Sequence, residues 1–504
     1  MSQPSVSTPS LTLRNLILLS IPALVIGVGS AVVLWLLDVS ADWLAGLLWD
    51  SLPQVFGATG STPWWIIVVL TAVGLAVGLV VQFVPGHAGQ DSATTELAVA
   101  PPKIIAVPSL IVVVLLGLAG GVSLGPENPI IAVNSALAVT VIARMTSKIP
   151  QQLVALLAIS ATIGALFGTP VAGALILPGM IAAVAGGGSL WDKLFLPLVA
   201  GGAGAVTMLL LGGNPIAFHL EPMGGFVPVY LLWSAILAIV AAVVVVLASV
   251  LFRFVHRAFH ALRHPVIFTT LGGLALGMLG AIGTPMTMFK GLDQAAQLLT
   301  NPGDYSASQL TLFVVVKLLA LVVAAGAGFR GGRIFPIVFV SVAFGLLVGE
   351  LFPSVPISLA VASAAMGMIL AATRDGWIAM FVAVALVGDL EVLPILCLTI
   401  LPTWLVVTRR PSCSSSDGRG TRGPSGRDGD LPVSGPSGTL GAWRRSTTCV
   451  RSRSGCPARS RRSTGTGAGR AGVPTGDCSR GSGVRARPTS PSSPSWGASG
   501  RPGP

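Results

Sequence analysis

One carboxylate interrupts a long apolar part of this chain. Glu127 lies in the stretch GGVSLGPENP (120–129) and is the only acidic residue between Glu96 and Asp192. Apolar runs flank the stretch, while its glycines and prolines break what would otherwise be a membrane helix. Interrupted backbone in hydrocarbon leaves costly unpaired peptide groups unless it is buried in protein or lines a cavity. A carboxylate at that depth is therefore a candidate functional residue.

A second break follows about 210 residues later, with the same order of signals. An apolar run after Lys317 ends in GAGFRGGRIFP (326–336), as the run after Lys103 ends in the first break. Matched broken helices predict an internal repeat, with a site where the two halves meet. A half-helix that begins inside the membrane presents its N–H groups and positive dipole end to such a site. Two such ends predict a small anion as the ligand.

The composition around these breaks is that of a membrane protein. Of 504 residues, 53% are hydrophobic and 10% are charged, whereas soluble domains carry about 25% charged residues. Residues 1–408 hold 13 basic and 14 acidic residues, a net charge of −1, and residues 409–504 hold 17 Arg and 4 acidic residues, a net charge of +13. The excess positive charge therefore belongs to the tail, and nucleic-acid binding by the whole protein is excluded.

The chain divides into four predicted parts: a cytoplasmic N-terminus (1–14), a first membrane half (15–225), a second membrane half (226–410) and a disordered tail rich in Gly, Ser, Pro and Arg (411–504). Several apolar segments are shorter than the ~20 residues of a perpendicular span, which favours a transporter or channel interior. The basic connection predicted at 253–264 indicates a cytoplasmic side. The candidate spans lie near 15–37, 65–84, 103–120, 129–143, 151–168, 170–186, 193–212, 226–252, 266–284, 310–328, 335–353, 356–373, 376–390 and 391–408.

Five stretches carry a family likeness through their order and spacing. They are PGHAGQDSAT (85–94), GLAGGVSLGPENP (117–129), GALFGTPVAGALIL (164–177), KLLALVVAAGAGFRGGRIFP (317–336) and AATRDGWIAMFVAVALVGDLEVLPIL (371–396). Together they resemble the chloride channel (CLC) family of anion channels and anion/proton antiporters, and within it a divergent bacterial branch of ion-transport proteins of voltage-gated chloride channel type. The first stretch stands where the family has G-S-G-I-P, and the second where it has G-[KR]-E-G-P. The likeness covers about residues 15–410.

The resemblance implies an all-α polytopic membrane protein, built as an inverted-repeat bundle of many tilted, partly re-entrant helices. It implies a homodimer in a bacterial inner membrane, with one path for chloride or a similar small anion in each subunit. No catalytic residue, cofactor or metal site is predicted, since the tail cysteines lack metal-ligand spacing. The residues expected to bind and select the anion are Gly86, His87, Ala88, Ser123, Leu124, Gly125, Pro126, Gly332, Arg333, Ile334, Phe335 and Pro336.

Three positions depart from the family pattern. Leu124 stands at the position of the gating glutamate, so Glu127, about one helical turn later, becomes the gating candidate. His87 stands at the position of the ion-coordinating serine and is expected to donate to the anion. The proton-relay glutamate of the antiporters would fall near Gly179 or Met180, where there is no acid. Passive conduction, or a coupling through Glu127, is therefore favoured over two-glutamate chloride/proton exchange.

Other interpretations stay open. They are anion/proton antiport with unusual coupling, and secondary transport of a larger organic anion bound near Arg330 and Arg333. Glu127 could also serve only as a helix cap, and Lys317 is expected to extend along a helix face to the membrane interface. An intramembrane enzyme is disfavoured because the chain has no H-E-x-x-H or G-x-G-D motif.

The chain changes character near residue 411. The family has a last helix there, with a tyrosine that binds the anion, but Arg410-Pro411-Ser412-Cys413 stands at that place and the only tyrosines are Tyr230 and Tyr305. We hypothesise that the reading frame changes near Pro411, because GC-rich DNA read out of frame yields Arg, Gly, Ser and Pro. The alternative is a basic tail that contacts anionic lipid headgroups.

Overall fold

The computed structural model describes residues 13–91, 101–146, 149–169, 190–213, 218 and 220–408, and these belong to one compact unit, Met1–Gly420. The second unit, Thr421–Pro504, lies outside the described residues. The predicted disordered tail and the relay position at Gly179 or Met180 are therefore also outside them.

The described residues form a helical bundle with one isolated β-bridge. Eight of the described helices are long and apolar enough to cross a membrane, and five shorter apolar ones accompany them. The helices are α1 (Leu13–Gly46), α2 (Pro63–Phe83), α3 (Val107–Ala119), α4 (Glu127–Met145), α5 (Gln151–Phe167), α6 (Leu190–Leu210), α7 (Val229–His260), α8 (Pro265–Gly283), α9 (Leu292–Thr300), α10 (Ala307–Gly326), α11 (Ile334–Leu351), α12 (Ile357–Thr373), α13 (Gly376–Val387) and α14 (Val392–Thr408).

Two of the helices are longer than predicted. Helix α1 runs on to Gly46 and continues through a π-helical turn, Leu47–Ser51, because no proline or glycine stops it after residue 37. Helix α7 continues to His260, so most of the predicted basic connection is the end of a helix. Only Arg263 and His264 stand beyond it, in the turn before α8.

The two halves repeat their element boundaries. The helices before the breaks end at Ala119 and Gly326, and those after the breaks begin at Glu127 and Ile334, a separation of 207 residues in both cases. The next helices, α5 and α12, are both 17 residues long and begin 206 residues apart. This agreement supports the predicted internal repeat.

Close helix packing depends on small residues, as is usual in membrane proteins. Helices α2 and α8 approach so closely that a Cβ atom on Gly74 would overlap with the carbonyl oxygen of Thr269, and one on Gly273 with that of Leu70. Helix α12 lies at the centre of the bundle and is buried from Ser358 to Ala372. The breaks that precede α4 and α11 are therefore held in a rigid, buried frame.

Candidate functional site

The two broken helices are bonded to each other. The N–H of Gly125 donates to the carbonyl oxygen of Gly332 at 2.9 Å, and the N–H of Gly332 donates to that of Gly125 at 2.6 Å, in an antiparallel bridge. These glycines are 207 residues apart, the same separation as the helix starts, so they are equivalent positions of the two halves. Reciprocal bonds between equivalent residues are what a local two-fold axis requires. Helices α4 and α11 thus begin side by side, two residues after the bridge.

The carboxylate of Glu127 fills this junction. The side chain is 1% exposed, and its Oε1 atom accepts a hydrogen bond of 2.8 Å from the N–H of Phe335 in the first turn of α11. The backbone amide of Ile334 also faces the carboxylate. A Cβ atom on Gly125 or on Gly332 would overlap with the carboxylate, so the carboxylate can occupy this position because both residues are glycine. A negative group therefore lies where the two helix starts meet.

One oxygen of this carboxylate is not hydrogen-bonded. Among the described residues, Oε2 of Glu127 and Oγ of Ser123 are buried atoms without a hydrogen-bond partner. A buried polar atom without a partner is unusual and calls for an explanation, such as an ion or water at the site. The junction therefore holds two buried oxygen atoms, one on each side of Gly125, that make no hydrogen bond within the described residues.

The junction is chemically asymmetric although its backbone is not. The position equivalent to Glu127 in the second half is Ile334, the first residue of α11. Leu124, at the position of the family's gating glutamate, is buried and packs against Gly331, where a Cβ atom would overlap with its own. An apolar side chain so placed cannot carry charge, so Glu127 is the ionisable group at the junction.

Two clefts reach the junction from different elements. Leu124, Gly331 and Arg333 line a mostly apolar cleft of about 70 Å³ that is completed by α7 and α10. Pro126 and Phe335 line a second cleft of about 560 Å³. Since neighbouring residues of the same two breaks line different clefts, the bridge and the Glu127 carboxylate lie between the residues that line the two clefts.

The larger cleft has acidic walls that were not predicted from the sequence. Asp38 and Asp42, near the end of α1, line it together with Lys290 and Asp293. Lys290 Nζ lies 3.8 Å from Asp38 Oδ1, which leaves Asp42 and Asp293 as the excess charge on the described walls. The acids near the end of α1 and the one at the start of α9 were the only sequence signal, and the fold alone shows that they share a cleft.

The turn at 85–91 approaches the second break through Ala88 rather than through His87. His87 is exposed, its Nδ1 donates to the carbonyl oxygen of Val81 at 2.8 Å, and its N–H donates to that of Val84 at 3.1 Å. A neutral ring with its proton on Nδ1 has no second N–H. The expected donation from His87 to an anion would thus require the protonated ring, and it stays a prediction.

Gly86 and Ala88 are held by neighbouring elements. A Cβ atom on Gly86 would overlap with Ala106, and the φ angle of +88° also suits glycine. Ala88 is fully buried, and its N–H donates to Ser109 Oγ at 3.1 Å. The turn is thus fixed to the start of α3, which carries the first break at its other end.

Arg330 connects this turn with the second break. Its guanidinium donates to the carbonyl oxygens of Ala88 (3.2 Å), Gly328 (3.0 Å) and Gly89 (3.5 Å), and to Asp91 Oδ1 at 3.2 Å. With these bonds made, the side chain is 10% exposed. Arg330 is therefore a clamp between chain segments, and four of its five N–H donors are engaged, which removes much of the support for an organic-anion pocket at this residue.

Lys317 is fully buried, so the expectation that it extends to the membrane interface is wrong. Its Nζ donates to the carbonyl oxygens of Met288 (2.7 Å) and Phe289 (2.8 Å) and lies 5.2 Å from the centre of the Phe339 ring. Because the N–H of Phe289 donates to Gly121 O, Lys317 steadies the first break from the second half. Its isolation in an apolar helix was the signal for such a role.

Trp49 is a further residue at the first break that sequence reasoning missed. Its Nε1 donates to the carbonyl oxygen of Ala119 at 2.8 Å, at the last residue of α3, and its ring meets Phe289 edge to face at 5.6 Å. It therefore satisfies one of the carbonyl groups that the helix end leaves free.

Comparisons with known proteins agree over most of the chain. The family profile described as voltage-gated chloride channel matches residues 72–407. YfeO of Escherichia coli (strain K12 / DH10B), which is named for ion transport, is 45% identical over 401 residues, 79% of this chain and 95% of YfeO. The protein of the same name from Escherichia fergusonii is 44% identical over 401 residues, with the same coverage.

Two solved structures share the fold. A slow cyanobacterial Cl⁻/H⁺ antiporter has a TM-score of 0.65 at 18% identity, covering 78% of this chain and 94% of the antiporter. A CLC-type fluoride/proton antiporter has a TM-score of 0.63 at 17% identity, covering 81% of this chain and 99% of that protein. The predicted fold class, an all-α polytopic bundle of the CLC type, is thereby confirmed.

Proposed function

The chain belongs to the voltage-gated chloride channel (CLC) family, and from this premise we propose that it moves small anions, chloride foremost, across a membrane. The path runs from one cleft to the other through the junction of the first and second membrane halves, 15–225 and 226–410. The protein is a multi-pass membrane protein; the proposal adds that it lies in the bacterial inner membrane and works as a homodimer with one path per subunit.

The observation that carries this proposal is the carboxylate of Glu127 against the start of α11. Helix starts attract negative charge through their free N–H groups and their dipole. A tethered carboxylate that already accepts the Phe335 N–H is a stand-in for a free anion at the same donors. The polar lining of the path is the backbone of 123–126 and 332–336, with Ser123 and Arg333 beside it.

Glu127 is the gate in this proposal. Its carboxylate lies between the residues that line the two clefts, so an anion can pass only after the side chain leaves or becomes neutral. The bond to the Phe335 N–H and the contact with two glycines hold the carboxylate in place. Because Oε2 makes no hydrogen bond within the described residues, the carboxylate is easier to displace. Chloride opens the path by competing for the same backbone N–H groups.

The transport mode that fits best is passive anion conduction, with a coupling of protons through Glu127 as the second candidate. The second candidate is favoured by one feature: the gate is an ionisable group whose protonation changes its hold on the amides. Neither mode involves bond-making chemistry, so no enzymatic activity is proposed. Transport of a large organic anion is not favoured, because the guanidinium of Arg330 is already bonded to four groups.

The test is chloride efflux from liposomes that contain the purified chain. Loaded vesicles are diluted into chloride-free buffer, and efflux is followed with a chloride electrode, with and without a proton gradient. We expect saturable chloride efflux, with large organic anions retained, and no efflux from protein-free vesicles. Absence of chloride efflux under both conditions, from the full chain and from a form with its frame corrected after Pro411, would contradict the proposal.

A further inference from the structure

A second cluster of ionisable groups lies away from the junction, at the basic end of α7. One ring nitrogen each of His256 and His260 and one carboxylate oxygen of Asp91 lie within 4.8 Å of one another. The histidines are four residues apart on one helix, which puts both rings on the same face. Asp91 comes from the turn before α3, so the cluster joins two elements distant in sequence.

Both rings have one nitrogen directed at a backbone group of a neighbouring residue. The Nδ1 of His260 meets the carbonyl oxygen of His256 at 3.0 Å and must donate to it, so the lone pair of a neutral ring lies on Nε2. That Nε2 is 3.5 Å from Asp91 Oδ2. The His256 ring faces the backbone of Gly326, while its Nδ1 is buried without a partner among the described residues.

This arrangement is typical of metal-binding histidines. Such rings almost always donate one N–H to a carbonyl oxygen or carboxylate, which fixes the other nitrogen as the ligand. Ligands at about 2.0–2.2 Å from a tetrahedral Zn²⁺ are a little over 3 Å apart, close to the 3.5 Å between His260 Nε2 and Asp91 Oδ2. The side chains of His260 and Asp91 are 36% and 20% exposed, so an ion can reach them.

The charged groups around the cluster limit which ions can bind, and how tightly. Arg330 bonds to Oδ1 of Asp91 and so puts a positive charge beside the carboxylate, whose Oδ2 faces His260 Nε2. Arg253 lies one turn before His256 on the same face of α7, and Arg257 follows on the exposed side. These charges weaken cation binding, so an ion must gain its affinity from the two imidazoles.

We propose that Asp91, His256 and His260 form a binding site for a divalent transition-metal ion of the Zn²⁺ type. Two nitrogen ligands and one carboxylate favour Zn²⁺ and its transition-metal neighbours over Mg²⁺ and Ca²⁺, which prefer oxygen ligands. The bound ion would link the end of α7 to the 85–91 turn. Because Asp91 also bonds to Arg330, this carboxylate would link the ion to the second break.

The test is titration of the purified full chain with Zn²⁺ by calorimetry. All variants carry serine at the five cysteine positions, so that no thiol contributes to binding. We expect one saturable site per chain, weakened about tenfold or more by His256→Gln and by His260→Gln. Mg²⁺ is expected to give no saturable heat. His264→Gln is the matched control, since His264 is an exposed histidine outside the cluster, and it should bind as the parent does.

A second measurement guards against misfolded variants. Co²⁺ replaces Zn²⁺, and its visible ligand-field bands are recorded for the parent and each variant that elutes as the same species on size-exclusion chromatography. Intense bands in the parent, lost in His256→Gln but kept in His264→Gln, support the site. Equal Zn²⁺ binding by the parent and His256→Gln, or no saturable binding by the parent, overturns the proposal and leaves His260 and Asp91 as a simple ion pair.

Discussion

The carboxylate of Glu127 lies against the N–H groups at the start of α11, where a negative group is favoured. In the sequence, however, Glu127 does not stand where a gating glutamate is expected. Leu124 precedes it by three residues and packs against Gly331 on the side of the smaller cleft. Because a helix begins at Glu127, the side chain can fold back over the N-terminal turn and reach Phe335 of the other half. Although Glu127 stands three residues after the expected position, its carboxylate thus reaches the junction from the first residue of α4.

We expect Glu127→Gln to raise chloride efflux and to remove its dependence on pH. In the wild type, protonation at low pH removes the charge that holds the carboxylate against the helix start, so efflux should increase as pH falls. The glutamine side chain is neutral at every pH, and efflux should be high throughout. The measurement is liposome efflux between weakly acidic and weakly basic pH.

The matched control for this prediction is Glu350→Gln. Glu350 is an exposed carboxylate near the other end of α11, so its loss should leave the pH profile unchanged. If Glu127→Gln has the rate and pH profile of the wild type, Glu127 is only a helix cap.

Gly332→Ala is expected to open the same gate by a steric route. The new methyl group would overlap with the Glu127 carboxylate, the movable end of a flexible side chain, and should displace it. Efflux should therefore rise in the Glu127 background but not in a Glu127→Ala background. Loss of efflux in both backgrounds would mean that the methyl group itself obstructs the path.

At the scale of elements, the broken helices are stable because each exposed end has a partner from elsewhere. The end of α3 is bonded by Trp49, the turn after it by Phe289, and Gly332 of the second break by Gly125. Within a membrane such satisfaction of free backbone groups is required. The partners come from distant parts of the chain, so the breaks are features of the tertiary structure.

Lys317→Met is expected to lower the thermal stability of the protein. The change leaves the carbonyl oxygens of Met288 and Phe289 without a buried donor, which costs about 1–3 kcal/mol for each group. Unfolding in detergent can be followed by tryptophan fluorescence, because Trp49 packs on Phe289. Lys103→Met, at an exposed lysine, is the control. Equal stability of Lys317→Met and wild type would mean that the cost of burying the ammonium group offsets its bonds.

The acidic walls of the larger cleft should slow the entry of anions. Negative groups at the mouth of a path lower the local anion concentration, and the effect is screened by salt. Asp42→Asn with Asp293→Asn should therefore raise chloride efflux by a factor of about 2 to 10 at low ionic strength, and little at high ionic strength. Glu221→Gln, at an exposed acid that does not line either cleft, should have no such effect. A salt-independent change in the double variant would contradict this electrostatic role.

At the scale of the whole molecule, the two breaks match in spacing and in backbone pairing but differ at single side chains. Gly121 and Gly328, which are equivalent by the 207-residue separation, both have positive φ angles, 83° and 76°. Glu127 and Ile334 are equivalent as well, yet only one of them ionises. The repeat thus supplies a symmetric frame, and in the proposed mechanism the side-chain difference at this position provides the gate.

Sequencing the gene again should reveal a change of frame near Pro411. Residues after 407 lie outside the family match, and the alignment with YfeO covers 95% of that protein but 79% of this chain. We expect the corrected frame to continue into an apolar helix, since that is where the family has its last one. A clean reading frame through Cys413 would contradict the prediction and favour a basic tail that contacts lipid.

The sequence by itself determined that this is a membrane protein with two matched helix breaks, because hydrophobic runs and Gly-Pro interruptions are local signals. It also singled out Glu127, since one acid among so many apolar residues is visible without a structure. It could not determine which group reaches the junction, where His87 points, or that Lys317 is buried.

Only the tertiary structure decided those points. Glu127 and Phe335 are 208 residues apart, and so are joined only when the two halves pack. The Gly125–Gly332 bridge, the Arg330 clamp and the cluster of Asp91, His256 and His260 have the same origin. Each depends on the distance between atoms that the chain separates widely, and hydrophobic patterns along a sequence carry no information about such distances.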